Sequence, residues 1–175
     1  MLADAFAMRL LGLDPGLRTT GWGVIDAVDN RLHWVADGIV RSDDSLSLGE
    51  RLTQLHRGVL AVIGAYQPEE AAAEETFVNM NPSSTLKLGQ ARGAVLVAAG
   101  MAGLKVAEYS PARVKQSVVG TGRAAKEQIG MMVRILLPGC TAKTADAADA
   151  LAVAICHAHH RGTANRLQSA LEAAR

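Results

Sequence analysis

Aromatic side chains are scarce in this chain, with two Phe, two Trp and two Tyr making up 3% of 175 residues. Apolar residues still reach 49%, so a packed core is expected, built of Ala, Val, Leu and Ile rather than of rings. Cysteine is almost missing. Cys140 and Cys156 have no second Cys at metal-ligand spacing, which argues for two reduced thiols and against a disulfide framework or a Cys-based zinc site. Long hydrophobic runs are missing too. The longest central stretch without charge, 93–104, is too short to span a bilayer. Residues 1–7 lack the basic start and long apolar segment of a secretory signal. These absences point to a soluble, cytoplasmic protein. Its length fits one domain that buries about 70% of its unfolded surface.

Net charge is only +1, but it is unevenly spread. Residues 26–75 carry ten acids and four bases, a balance of −6. Residues 84–136 carry eight bases and two acids, a balance of +6. A basic half beside a group of carboxylates suits a polyanionic substrate; charges mixed over a solvated surface are the other reading.

The pattern of the chain alternates strands and helices. Residues 8–14 read as a buried strand, 20–28 as a second and 31–40 as a third, with Asp29-Asn30 as the hairpin turn. Ser47 and Glu50 form a capping box for a helix that Gln67-Pro68 closes. Residues 69–75 return to a strand. Asn81 caps a helix with Pro82 at its first position, running to about Met101. A strand over 105–109, a helix from Pro111 to about Val118, a Gly120-Thr-Gly122 loop and a helix over 124–136 follow. Thr144 caps the last firm helix, which extends to about His160. A meander leading into helix-linked strands implies an α/β fold with a mixed sheet covered by helices.

Against this pattern, acids occur where acid is unfavourable. Asp14 ends the apolar run Met8–Leu13, Glu74 ends Ala71-Ala72-Ala73, and Asp146 and Asp149 interrupt an apolar helix. Carboxylates on core-facing elements are destabilising unless paired. Asp146 and Asp149, three residues apart on a helix, point to one side. Each segment alone is more often structural than functional, since Asp-Pro-Gly is a common turn and acids are common near helix starts. Together, four carboxylates at one site can hold two Mg²⁺ or Mn²⁺ ions about 3.5–4 Å apart, an arrangement suited to phosphodiester hydrolysis. His157, His159 and His160 resemble a metal cluster, but no matching Cys or acid spacing follows, and they read as the polar end of the last helix. Trp22 and Trp34 read as core or strand-face packing.

Five segments resemble the RuvC family of bacterial Holliday-junction resolvases: residues 11–24 (Leu11-Gly-Leu-Asp-Pro-Gly-Leu-Arg-Thr-Thr-Gly-Trp-Gly-Val24), Ala73-Glu74-Glu75-Thr-Phe77, Leu86-Lys-Leu-Gly-Gln-Ala-Arg-Gly93, Val114-Lys-Gln-Ser-Val-Val-Gly120 and Ala145-Asp-Ala-Ala-Asp-Ala-Leu-Ala152. The resemblance spans roughly 8–160. It implies an RNase H-like domain there, a mixed five-stranded sheet with helices on both faces. Residues 1–7 are then an N-terminal extension and 161–175 a flexible C-terminal tail. It also implies a homodimer that cuts four-way DNA junctions by paired symmetric nicks, leaving 5′-phosphate and 3′-hydroxyl ends.

By the same resemblance, Asp14, Glu74, Asp146 and Asp149 are the catalytic metal ligands, for two Mg²⁺ or Mn²⁺ per site. Lys115 and Lys126 approach DNA phosphate, Phe77 contacts junction bases, and Arg92 belongs to the DNA-binding set. The helix holding Lys87 to Arg92 makes dimer contacts, and the RuvA–RuvB branch-migration complex is a partner. Glu75 departs from the family, which usually carries Gln there. Adjacent strand residues face opposite sides, so Glu75 is not expected to bind metal. Another RNase H-like nuclease, a sugar-kinase-like phosphotransferase and a non-catalytic junction binder are the alternatives. The second needs another lobe for which 175 residues leave no room, and the third has no need of four acids.

Overall fold

The computed structural model describes residues 7–29, 31–75 and 81–173; in the last helix, side chains are described as far as Thr163 and at Leu171. Three strands come first: β1 (Met8–Asp14), β2 (Thr19–Val28) and β3 (Arg31–Arg41). Then follow α1 (Leu48–Tyr66), β4 (Glu70–Glu74), α2 (Pro82–Met101), β5 (Lys105–Tyr109), α3 (Pro111–Val119), α4 (Lys126–Leu136) and α5 (Ala145–Ala173). The sheet order is β3-β2-β1-β4-β5. β1, β2 and β3 pair antiparallel, whereas β4 joins β1 and β5 joins β4 in parallel. This is the mixed five-stranded sheet with helices on both faces that the sequence leads one to expect.

Local chemistry explains the element ends. Ser47 and Glu50 make the reciprocal capping box at the start of α1, satisfying two otherwise unpaired N–H groups. Gln67 ends α1 in the left-handed conformation, φ 50°, and its N–H donates to the Ile63 carbonyl at 2.8 Å. Pro68 forbids any further turn. Asn81 accepts from the Ser83 and Ser84 N–H groups ahead of α2. Gly120, at φ 84°, caps α3, a backbone conformation that glycine adopts at least cost. At α5, the Thr144 hydroxyl accepts from the Ala147 N–H at 3.2 Å.

Period-two alternation divides the core. Leu11 and Leu13 of β1 pack with Val59, Val95 and their neighbours from α1 and α2. Leu10 packs on the other face, against Val153, Ile155 and the α3–α5 side chains. In β4, Ala71 and Ala73 face α1 and α2, and Ala72 faces α5. Gly12, Asp14, Glu70 and Glu74 therefore lie on the α5 side of the sheet.

The sequence places the firm end of α5 near His160; the helix continues to Ala173. Arg161 holds the first turn beyond that point, its Nε lying 3.1 Å from both Glu70 carboxylate oxygens. Among the described residues, no helix is long and apolar enough to cross a membrane.

Candidate active site

Asp14 and Glu74 end β1 and β4, adjacent parallel strands whose shared register closes at Leu13↔Ala73. Both carboxylates emerge at the same end of the sheet, on the α5 face. Two glycines allow α5 to approach them. A Cβ on Gly12 would stand 2.0 Å from the Ala150 carbonyl oxygen, and one on Gly21 would stand 2.0 Å from that of Asp146. Because Gly21 pairs with Asp14 across the β1–β2 ladder, this close seating brings the first turn of α5 over Asp14. The Pro15-Gly16 turn that follows is braced by the buried Thr20, whose hydroxyl donates to the Gly16 carbonyl at 3.0 Å.

A cleft of 180 Å³ at this point is lined by Asp14, Glu74, Asp149, Lys115 and Lys126, with an apolar floor that includes Val114 and Ile129. Asp146 does not line it, but lies close enough to raise the Asp14 pKa. Burial, then the Asp149 and Asp146 charges, push Asp14 up to about 6. Burial, then the Asp14 and Asp149 charges, push Glu74 up to about 7. Lys126 Nζ lies 3.3 Å from Asp149 Oδ2, and the Asp149 charge raises the pKa of that lysine. Lys126 also sits in the first turn of α4, where the helix dipole adds to the positive potential at the cleft mouth.

The side chains are not drawn into a closed cage. Among the described residues, no group of three or more His, Cys, Asp or Glu is close enough to hold a metal ion. Carboxylates that repel one another spread in this way, and here Lys126 takes up one of them. The donor chemistry nevertheless fits a hard divalent cation: every acid supplies oxygen, and two are forced toward protonation by surroundings that an added cation would relieve.

Not every expected residue enters the cleft. Glu75 is exposed and absent from the lining, as alternation requires. Phe77 lies outside the described residues. Arg92 is turned toward the protein: its Nε donates to the Glu74 carbonyl at 3.3 Å, and its Nη2 pairs with Glu108. His157 is a buried core histidine rather than part of an exposed polar end. Burial lowers its pKa, and the ring is hydrogen-bonded at both nitrogens, Nε2 to the Glu70 carboxylate at 3.0 Å and Nδ1 to the Tyr109 hydroxyl at 2.9 Å. A larger cavity, 520 Å³ between Arg31–Trp34 and the end of α4, sits at the far end of the sheet and contains no carboxylate. The role of the strand glycines went unread in the sequence, although a glycine inside a strand pattern is itself a signal of close backbone approach.

The family model for crossover junction endodeoxyribonuclease RuvC matches residues 10–157. The chain belongs to the RuvC family. It is 71% identical over 164 residues to the crossover junction endodeoxyribonuclease RuvC of Paramagnetospirillum magneticum, covering 94% of this chain and 99% of that one. Its counterpart in Rhodospirillum rubrum is 71% identical over 157 residues, covering 90% and 93%. Among solved structures, T. thermophilus RuvC in complex with a Holliday junction substrate superposes with a TM-score of 0.83 at 38% identity, over 90% of this chain and 96% of that chain. The sheet and helices described above are thus the RNase H-like fold of the RuvC family, and the acidic cleft lies within the matched segment.

Proposed function

We propose that this protein is a crossover junction endodeoxyribonuclease that resolves four-way DNA junctions in recombination and repair by hydrolysing phosphodiester bonds. One observation carries this reading: carboxylates from β1, β4 and α5 meet in one cleft whose mouth holds two lysines. Asp14, Glu74, Asp146 and Asp149 are the residues that would hold two Mg²⁺ or Mn²⁺ ions. Such ions, when bound, offset negative charge on the scissile phosphate and make the attacking water more acidic. The chain's own groups do the rest. Asp14 and Glu74 are fixed by the ends of paired strands, so they enter the reaction pre-oriented. Lys115 and Lys126 attract the phosphate backbone to a cleft that would otherwise repel it. The apolar floor excludes bulk water from one side. Phe77 is assigned to junction bases, and hydrolysis leaves 5′-phosphate and 3′-hydroxyl ends.

Paired nicking requires two such centres, and α2 offers the surface for a homodimer. Leu86, Val97 and Met101 are 66%, 53% and 73% exposed. Gly89, Gly93 and Gly100 on the same helix have nothing near their would-be Cβ positions. Spacings of three, four and seven put much of this set on one stripe. Val97→Asp is expected to yield a monomer by light scattering and to convert paired nicks into unpaired ones; a Val97→Asp dimer would move the interface elsewhere. The RuvA–RuvB complex is the proposed partner, and the cytoplasm the proposed compartment.

A labelled synthetic four-way junction, incubated with and without Mg²⁺ or Mn²⁺, tests the function. Symmetric nicks that depend on the cation are expected, and equal cutting of linear duplex would reject junction resolution. Lys115→Ala is expected to weaken junction binding and to reduce the slope of log affinity against log salt by about one. An unaltered slope would place Lys115 away from phosphate.

A further inference from the structure

We propose that Arg92 is a positioning residue for Glu74, acting through the strand end rather than on DNA; this rests on the reading of Glu74 as a catalytic ligand. Glu74 is the last residue of β4. On the β5 side it is well held, since Glu74 pairs with Tyr109 in the ladder and the next N–H, of Glu75, donates to the Tyr109 carbonyl at 2.8 Å. On the β1 side the ladder has already ended at Leu13↔Ala73, so the Glu74 carbonyl finds no strand partner there. Arg92 supplies one. It follows Ala91, a fully buried residue of α2 one helical turn before Val95 of the core. Its guanidinium side chain is only 18% exposed.

From that rim Nε donates to the Glu74 carbonyl, and Nη2 pairs with the Glu108 carboxylate on β5. One planar fork therefore joins α2, the end of β4 and β5. A lysine ammonium, a single point on a flexible stem, does not reproduce that geometry. Glu108 offsets its charge, and the Nε–Nη2 edge of the guanidinium is engaged within the protein rather than turned to the cleft. A misaimed strand end would instead displace the Glu74 carboxylate, and reacting groups tolerate little displacement.

The full-length protein and its Arg92→Ala, Arg92→Lys and Glu108→Gln variants distinguish these roles. Three quantities are measured: junction affinity across salt concentrations without divalent cation, Mn²⁺ affinity of the free protein, and single-turnover cleavage at saturating protein. For Arg92→Ala, the cleavage rate is expected to fall by about 10- to 100-fold, with weaker Mn²⁺ binding, as supporting residues behind metal ligands usually show. Junction affinity and its salt slope should stay as in the wild type. Arg92→Lys should recover part of the rate, and Glu108→Gln should lose less than Arg92→Ala.

A folded Arg92→Ala that cuts at the wild-type rate overturns the proposal, as does a loss confined to junction affinity with a shallower salt slope, which is the signature of a phosphate contact. Should Arg92→Ala fail to fold, wild-type rates in both Arg92→Lys and Glu108→Gln overturn it equally. If the wild-type protein itself leaves the junction intact with Mg²⁺ and Mn²⁺, the nuclease reading falls and this inference with it. A cutting wild type beside an equally active Arg92→Ala removes the inference alone.

Discussion

Asp14→Asn is expected to abolish junction cleavage, retain junction binding and make the metal-free protein more stable. Loss of activity follows from removing an oxygen proposed to hold metal in the cleft. The gain in stability follows from the environment of that oxygen. Burial, and then the Asp149 and Asp146 charges, lift the Asp14 pKa from 3.8 to about 6, while Glu74 rises from 4.5 to about 7. Between those limits the folded protein keeps protons that the unfolded chain has released. The contribution of these two groups to stability is therefore fully present below the unfolded values and is lost as pH rises through the window from about 4 to about 7.

At neutral pH the Asp14 charge costs on the order of 2 kcal/mol in the metal-free state. Asn removes that penalty and also one of the charges that raise Glu74. Thermal midpoints measured from pH 4 to 8 in chelator should rise for Asp14→Asn at the alkaline end and lose much of their pH dependence. Added Mg²⁺ or Mn²⁺ should flatten the wild-type profile in the same way. Wild-type cleavage by Asp14→Asn would reject the site assignment, and a midpoint lower than wild type at neutral pH would reject the electrostatic account.

Gly21→Ala is expected to disable the enzyme without touching a single carboxylate. The new methyl would lie 2.0 Å from the Asp146 carbonyl oxygen and 2.5 Å from its carbonyl carbon. These are backbone atoms of the first turn of α5 and have no rotamer by which to escape, so the helix start must move away from β2. Asp146 and Asp149 move with it while Asp14 stays on β1. A displacement near 1 Å at a reacting centre lowers a rate by about 100-fold, and overpacking of this kind costs roughly 1–3 kcal/mol. Single-turnover rate and urea midpoint should both drop. Gly64→Ala on α1, where nothing lies within 4 Å of the added methyl, serves as the control and should be neutral or slightly stabilising. A Gly21→Ala protein with wild-type cleavage would mean that α5 does not need its close seat.

Much of the fold was open to reading from the chain because local signals agree with the tertiary outcome. The Ser47–Glu50 box, Gln67-Pro68, Asn81-Pro82 and Thr144 all mark element ends that the structure keeps. The end of α5 was not; the Arg161–Glu70 pairing that holds the first turn beyond His160 joins residues far apart in sequence. His157 shows the same limit. As a letter it is one of three histidines near a helix end, and only packing against Tyr109 and Glu70 makes it a buried, fully partnered group.

The sequence by itself determined which residues carry charge where charge is unfavourable, namely Asp14, Glu74 and the α5 aspartates. Tertiary structure alone decided how they meet: alternation turns Asp14 and Glu74 to one face, and the missing side chains of Gly12 and Gly21 let α5 close over them. It also decided that Arg92 faces the Glu74 carbonyl and Glu108. The reason is physical. Propensity and periodicity act over a few neighbours, whereas the direction of a long side chain and the approach of a helix to a sheet depend on atoms brought close only by folding.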